Sequence, residues 1–232
     1  MKSKIYCDSA EIKIIKNFVN KKIVKGFTTN PSLMRKAGAT NYKDYSKKVI
    51  KITENKPVSL EVFADNFIDM REQALKINKW GKNVFVKIPI INSKGQLTTR
   101  VIKQLNKEGI KLNITAVYTA KQTKEILKNI NKKTKVIISI FAGRAADAGH
   151  DPVPEILESI KMKKNFKNVK ILWASVREPY NYTQACQLGC DIITVPPNII
   201  EKIEKFGKSF NLLTKETVKA FLVDSKRSKF EI

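Results

Sequence analysis

The sequence predicts an α/β protein, a single (β/α)8 barrel of the TIM type with an extra C-terminal helix. Short apolar, β-branched runs alternate with longer charged stretches of amphipathic character. The apolar runs are continuous, as in the Val-Ile-Ile of 136–138, which is typical of parallel strands buried on both faces. Eight such β–α units in a chain of 232 residues match a closed barrel.

The predicted strands share β-branched composition and short length. They span residues 4–7, 26–29, 58–63, 84–89, 111–117, 136–141, 170–175 and 191–195. The predicted helices share the spacing of an amphipathic helix. They span residues 10–20, 42–55, 67–81, 95–107, 120–131, 154–165, 179–188 and 198–206, with one more at 212–223. An open doubly wound sheet is the alternative, but no GxGxxG or P-loop motif follows the first strand. We therefore predict one barrel domain over 1–232, with 208–232 as a helical extension.

The charge is strongly basic, with 45 Lys and Arg against 21 Asp and Glu and a net charge of +24. One interpretation is a nucleic-acid-binding protein, and the other is a lysine-rich surface combined with anionic small-molecule substrates. The lysines are scattered over helix ends and loops, without a basic block interleaved with aromatic residues. This distribution favours the second interpretation, so a nucleic-acid partner is not expected.

Cys7, Cys186 and Cys190 form no CxxC motif or Cys/His cluster, and the chain has one histidine. The sequence therefore predicts no metal site. An odd number of cysteines without a secretory signal favours a reducing compartment, so we expect a cytoplasmic protein. No apolar run approaches the roughly 20 residues of a membrane-spanning helix, so no membrane association is expected.

In a barrel of this type, the active site lies at the carboxyl ends of the strands. Polar residues are concentrated at these predicted ends and in strands five and six. They are Asp8, Thr28, Thr29, Asn30, Glu61, Lys87, Asn113, Thr115, Ser139, Arg144, Ser175 and Arg177.

Lys87 stands inside the apolar run VFVKIP. It is either an ion-paired or snorkelling lysine, or a desolvated amine that acts as a nucleophile. Asp8 either caps the helix that follows or serves as a general acid and base near Lys87. Glu61 also lies inside an apolar strand, as a proton-transfer group or as an ionic partner of Lys87 or Arg144.

Arg144, Ser175 and Arg177 predict an anion site, because guanidinium groups bind phosphate with paired donors and the serine adds a hydroxyl. Phosphate sites in barrels of this type often lie in the loops after the last strands. The alternative is that Arg177 pairs with Glu178 or with another surface acid.

Five segments together resemble the transaldolase and fructose-6-phosphate aldolase family, in the right order over about residues 4–205. They are GFTTNPSL at 26–33, VKIP at 86–89, ISIFAGR at 138–144 with GHD at 149–151, ASVR at 174–177, and DIITVPP at 191–197. The resemblance implies an enzyme without metal or cofactor that acts on sugar phosphates.

The resemblance implies four catalytic residues. Lys87 forms an imine with the C2 ketone of the substrate, and Asp8 is the acid and base at the C4 hydroxyl. Glu61 and Thr115 hold the water that shuttles protons. The implied substrate-binding residues include Phe141 beside the reacting centre. The others are Asn30, Asn113 and Ser139 for the dihydroxyacetone part, and Arg144, Ser175 and Arg177 for the phosphate.

The family contains transferases, and aldolases that release free dihydroxyacetone. The aldolase branch has Gln in place of Glu61 and Tyr in place of Phe141, and Asn113 and Ser139 also resemble the transferases. We therefore expect a transaldolase of the pentose phosphate pathway. It would use sedoheptulose 7-phosphate or fructose 6-phosphate with glyceraldehyde 3-phosphate or erythrose 4-phosphate. The alternatives are a fructose-6-phosphate aldolase and a basic nucleic-acid-binding protein on a non-catalytic barrel. Short relatives often form rings, so by analogy we expect a homo-oligomer, and residues 212–223 are a candidate for an exchanged arm.

Overall fold

The computed structural model describes residues 2–228. They contain eight parallel strands, each paired with the next, and the last pairs with the first to close the barrel. The predicted (β/α)8 barrel with a C-terminal helix is confirmed. The strands are β1 Lys4–Asp8, β2 Val24–Thr28, β3 Val58–Glu61, β4 Val84–Pro89, β5 Leu112–Val117, β6 Val136–Ile140, β7 Val169–Trp173 and β8 Ile192–Val195.

Eleven α-helices lie in the described part of the chain. They are α1 Ile12–Val19, α2 Pro31–Lys36, α3 Tyr42–Thr53, α4 Phe67–Asn78, α5 Thr99–Lys107, α6 Ala120–Lys128, α7 Ala142–Asp147, α8 Val153–Met162, α9 Tyr180–Leu188, α10 Pro197–Ile203 and α11 Phe210–Ser228. Within residues 2–228, none of them is long and apolar enough to cross a membrane. The division into one domain over 1–232 stays a prediction. Residues 229–232 of the predicted extension lie outside the described residues.

Two short helices, α2 and α7, occupy segments that were predicted as turns or strand exits. Helix α2 forms because Asn30 accepts a hydrogen bond from the Leu33 N–H at 2.9 Å and Pro31 fits the first helical position. Helix α7 starts directly after β6, so the predicted strand 136–141 ends one residue early. The Ala145 N–H donates to the Phe141 carbonyl at 3.1 Å, which makes Phe141 the start of a helix instead of the end of a strand.

The predicted strand 170–175 also ends early, at Trp173. Ser175 has a φ of 65°, in the left-handed region and far from the φ of regular strand residues. The chain therefore turns sharply as it leaves β7, and this turn carries Ser175 and Arg177.

The lower half of the barrel interior is filled by apolar side chains from alternate strand positions. A cluster of Tyr6, Phe85, Ile137, Leu172 and Ile192 lies there, apart from the larger core between strands and helices. Tyr6 needs space across the barrel, and a Cβ atom on Gly26 would come within 2.6 Å of its ring. Side chains alternate between the two faces of a strand, so the residues two positions further on also point inward.

Candidate active site

The inward positions just above the apolar layer carry polar side chains. Asp8 follows Tyr6 by two residues, Lys87 follows Phe85, Ser139 follows Ile137 and Thr194 follows Ile192. The period of two along the strands thus places these side chains together at the carboxyl end of the barrel. They line a cavity of about 190 Å³.

Lys87 lies at the base of this cavity. Its side chain is buried, with only 7% of the residue exposed. Its ammonium is 3.0 Å from the Glu61 Oε2 atom and donates to the Thr29 carbonyl at 3.2 Å. Glu61 and Lys87 are directly opposite each other in the β3–β4 register, which holds the two side chains side by side. The ion-paired interpretation of Lys87 thus applies, and Glu61 is the partner.

Asp8 does not cap α1, because its carboxylate turns into the cavity. Its Oδ1 accepts a hydrogen bond from the Thr28 hydroxyl at 2.7 Å, and the Thr28 hydroxyl also bonds to that of Thr194. Desolvation raises the pKa of Asp8 above its ordinary value, and the positive charge of Lys87 offsets only part of this rise. A carboxyl group whose pKa is raised can both take and return a proton nearer neutral pH, as a general acid and base must.

A buried chain of three polar side chains crosses the barrel beside Lys87. The Ser139 hydroxyl donates to the Asn113 Oδ1 at 2.6 Å, and the Asn113 amide donates to the Ser59 hydroxyl at 3.0 Å. All three residues are buried, so the hydrogen bonds fix the orientation of the asparagine. Asn113 is also the direct neighbour of Lys87 in the β4–β5 register.

Thr115 lies two residues after Asn113 on β5 and is 1% exposed. Its hydroxyl has no hydrogen-bond partner among the described residues. A buried hydroxyl without a partner costs about 1–3 kcal/mol, so such groups are usually satisfied by an ordered water or a ligand. Among the described residues the hydroxyl is therefore free to bond to a water or a ligand, and the water-holding role that the resemblance implies for Thr115 stays a prediction.

The other wall of the cavity is basic and is formed by the segments after β6 and β7. Arg144, Ser175 and Arg177 all line it, together with Asn30 and Phe141. The Arg144 guanidinium lies 5.6 Å from the Phe141 ring centroid in a cation–π contact. The predicted anion-binding residues are thus close together and face the same space as Lys87.

Arg177 is paired with an acid that the sequence did not single out. Its Nε and Nη2 atoms donate to the Asp147 carboxylate at 2.9 and 2.5 Å. These hydrogen bonds hold the pKa of Asp147 below its usual range. The predicted alternative, a surface acid as the partner, is realised by Asp147 of α7 and not by Glu178. The pair uses the Nε edge of the guanidinium and leaves the Nη1 donors for an anion.

Sequence reasoning did not choose four of the residues that shape this site. Thr28 was noticed at a strand end without a role, and Ser59, Asp147 and Thr194 were not considered. The sequence could have indicated Ser59 and Thr194. Ser59 lies two residues before Glu61 on its strand, and Thr194 lies two residues after the inward-facing Ile192. Asp147 has no such signal, since it is 30 residues from Arg177 and on a helix that was not predicted.

The fold and the arrangement of side chains define a TIM-barrel protein with an amine, two carboxylates and two guanidinium groups at one end. The whole chain can then be placed. Residues 5–232 match the model of the family described as Transaldolase/Fructose-6-phosphate aldolase, and the chain belongs to this family. The resemblance predicted from the five motifs is confirmed.

Individual relatives agree with this assignment. A probable transaldolase of Nitrosopumilus maritimus is 34% identical, over 98% of this chain and 97% of the relative. A probable transaldolase of Thermoplasma acidophilum is 35% identical, over 97% of this chain and 96% of the relative.

Two solved structures support the fold alone. One is an orotidine 5'-monophosphate decarboxylase from Metallosphaera sedula, with a TM-score of 0.55, 11% identity, and coverage of 88% of this chain and 95% of that one. The other is a putative dihydrodipicolinate synthase family protein from Coccidioides immitis. It has a TM-score of 0.60, 10% identity, and coverage of 84% of this chain and 68% of that one.

Proposed function

We propose that the protein is a transaldolase that moves a dihydroxyacetone unit between sugar phosphates through a Schiff base on Lys87. The observation that carries the proposal is the contact of 3.0 Å between the Lys87 amine and the Glu61 carboxylate, at the base of a cavity that also contains Asp8. An amine must lose a proton before it attacks a carbonyl. Glu61 is close enough to accept that proton.

In the proposed reaction, the uncharged Lys87 amine attacks the C2 ketone of a ketose phosphate. The resulting carbinolamine loses water to form a protonated imine, with Glu61 and a water on Thr115 carrying the protons. Asp8 then takes the proton of the C4 hydroxyl. The C3–C4 bond breaks, its electron pair moves into the imine to form an enamine, and an aldose phosphate leaves.

The second half of the reaction is the reverse with another aldehyde. The enamine carbon attacks the acceptor aldehyde, Asp8 returns its proton to the new hydroxyl, and water releases the product from Lys87. The Ser59–Asn113–Ser139 chain would orient the hydroxyls of the dihydroxyacetone unit. Arg144, Ser175 and the free donors of Arg177 would bind the phosphate, in keeping with their place on the basic wall.

Phe141 favours transfer over the release of free dihydroxyacetone. Release requires a proton on the enamine carbon, and a phenyl ring has no proton to donate. Phe141 lines the cavity and packs against Tyr118 with 5.9 Å between the ring centroids. The enamine would therefore wait for an aldehyde, and we propose the four sugar phosphates of the pentose phosphate pathway named above as donors and acceptors.

Borohydride trapping with fructose 6-phosphate tests the imine. We expect a reduced dihydroxyacetone adduct on Lys87, located by intact mass and peptide mapping, and none in Lys87→Met. Lys56→Met is the matched control, since Lys56 is a half-buried lysine whose ammonium bonds to the Val24 carbonyl, at 2.8 Å, at the start of β2 and away from the cavity. No adduct on the unmodified protein, with several ketose phosphates, would overturn the proposal.

Acceptor dependence tests transfer. With fructose 6-phosphate alone, a transaldolase stops after about one equivalent per active site, whereas an aldolase continues to release dihydroxyacetone. Continuous turnover without an acceptor would favour the aldolase. Turnover that starts when erythrose 4-phosphate is added would support the transferase.

We also propose a cytoplasmic homo-oligomer. All three cysteines are free thiols, and Cys7 and Cys190 are buried, which suits a reducing compartment. Phe210 and Phe221 of helix α11 are exposed by 89% and 68%, and clustered exposed apolar side chains mark protein–protein contacts. We propose that α11 packs on a second copy of the chain.

A further inference from the structure

A second and larger cavity, of about 630 Å³, opens at the amino end of the barrel, opposite the candidate active site. Its floor contains Tyr6 and Phe85 of the apolar layer. We call it the lysine cup, after the six lysines that line it. They are Lys2, Lys4, Lys82, Lys111, Lys135 and Lys170.

The strand register explains why lysines meet there. Lys4 precedes the inward-facing Tyr6 by two residues, and Lys135 precedes the inward-facing Ile137 in the same way. Lys170 likewise stands two residues before an inward position. These side chains therefore lie on the inner face of the barrel, at the amino ends of their strands. Lysines from distant parts of the sequence are therefore close together at this end of the barrel.

Among residues 2–228, ion pairs neutralise only part of the positive charge of the cup. Its carboxylate, Asp191, bonds to the Lys163 ammonium at 2.5 Å and to the Lys170 ammonium at 3.0 Å. Burial alone would raise the pKa of Asp191, but these hydrogen bonds and one from the Ile171 N–H bring it below its ordinary value. Within residues 2–228 the remaining lysines of the cup form no ion pair. They are Lys2, Lys4, Lys82, Lys111 and Lys135.

Lys111 is the most enclosed of these lysines. Its ammonium lies 5.3 Å from the Phe85 ring centroid and donates to the Lys82 carbonyl. Burial, and then the charge of Lys135, lower the pKa of Lys111. The repulsion between these like charges is a cost that a bound anion would remove.

We propose that the lysine cup binds a compact anion carrying two or more phosphate groups. A volume of about 630 Å³ lies within the range of small-molecule sites. Several ammonium groups are spread around the rim, and they can bind a ligand with several phosphates more completely than a ligand with a single phosphate. A concave cup at the end of the barrel favours a compact ligand over the convex backbone of a duplex. The proposal does not depend on the transaldolase reaction, because the cup is at the opposite end of the strands from Lys87.

Titration calorimetry with inorganic tripolyphosphate, at about 0.15 M salt to screen loose surface binding, tests the proposal. We expect a saturable site in the lysine cup. Lys111→Ala/Lys135→Ala should weaken binding by about tenfold or more, which is about 1.4 kcal/mol. Lys47→Ala/Lys48→Ala removes the same charge from the exposed face of α3, and we expect less than about a twofold change for such surface charges.

Three further measurements make the result decisive: the affinity of Arg144→Ala, the affinity of Lys135→Gln, and competition with a DNA duplex. Arg144→Ala should keep full affinity, since loss there would place the ligand in the candidate active site instead. If the double variant has a lower thermal midpoint than the parent protein, Lys135→Gln alone replaces it, because the Lys135 side chain is exposed. The proposal is overturned by the absence of saturable binding, by equal losses in the cup and control variants, or by a DNA duplex that displaces tripolyphosphate and binds more tightly.

Discussion

A Cβ atom on Gly143 would lie 1.6 Å from the carbonyl oxygen of Ser175, so the first turn of α7 rests directly on the chain that leaves β7. Ser175 itself has a φ of 65°, so the chain turns sharply at this contact. Arg144 directly follows Gly143, and Arg177 lies two residues after Ser175. The contact therefore sets the distance between the two arginines of the basic wall.

Gly143→Ala should therefore displace the basic wall. We expect a loss of kcat/KM of about 100-fold for phosphorylated donors, because a shift on the order of 1 Å is enough for that effect. Gly149→Ala is the control. Its φ of 81° also strains an alanine, but its Cβ meets open space, so a stability loss of roughly 1–2 kcal/mol should leave activity intact. Equal activity in both variants would contradict the role of the contact.

Asp8→Asn separates catalysis from stability. The amide can still accept from Thr28 but cannot carry the proton, so we expect kcat to fall by about 100-fold or more. The raised pKa of Asp8 means that burying its carboxylate destabilises the fold above that pKa. This cost disappears as the pH falls toward the unfolded-state value, near 3.9.

The thermal midpoint of Asp8→Asn should consequently exceed that of the parent protein at pH 7. The difference should shrink as the pH is lowered through the raised pKa of Asp8. A variant that is less stable at pH 7 would show that the carboxylate is not penalised by its burial.

Thr115→Val removes a hydroxyl that has no protein partner in the described structure. We expect little change in the free energy of unfolding and slower imine formation, by about tenfold, if the hydroxyl holds a proton-carrying water. Thr123→Val is the matched control, since its buried hydroxyl bonds to that of Ser159 at 2.8 Å. That variant should lose roughly 1–3 kcal/mol of stability, because Ser159 is left unpaired, and keep its imine rate. Single-turnover trapping and thermal unfolding measure the two effects.

Asp147→Ala should release Arg177 from its fixed orientation. We expect KM for phosphorylated donors to rise by about five- to tenfold, with kcat nearly constant, because the loss concerns binding in both ground and transition states. Asp44→Ala removes the same charge from an exposed position on α3. A rise in KM for both variants would indicate a general field effect and not the orientation of Arg177.

Removal of residues 208–232 should change the oligomeric state while the barrel stays folded. Every described residue of α11 is exposed, so the barrel loses little packing when the helix is absent. Light scattering after size exclusion should show a smaller particle with a similar far-ultraviolet signature of the barrel. An unchanged mass would exclude α11 as the contact between copies.

The fold was predictable because its signal is repeated eight times. Continuous apolar runs such as 136–138 and the helical spacing between them leave few other architectures for a chain of this length. Boundaries were less predictable where tertiary contacts decide them. Phe141 belongs by composition to β6, yet α7 begins there because it packs on the exit of β7.

The polar residues of the site were largely predictable, since Asp8, Lys87 and Ser139 share one inward face with a period of two. Their partners were not. The Asp147–Arg177 pair depends on the placement of α7, and the Asp8–Thr28–Thr194 network depends on how β1 lies between β2 and β8. A single strand does not contain that information.

Helix α11 has 19 residues and buries none of them in the described structure. An isolated helix is stabilised only weakly in water, so under the proposed packing of α11 on a second copy its helicity would come largely from that contact. The amount of helix in the protein should then follow its concentration. On dilution, the chain would lose this one helix while the barrel remains, and the circular dichroism of the protein would report its own association constant.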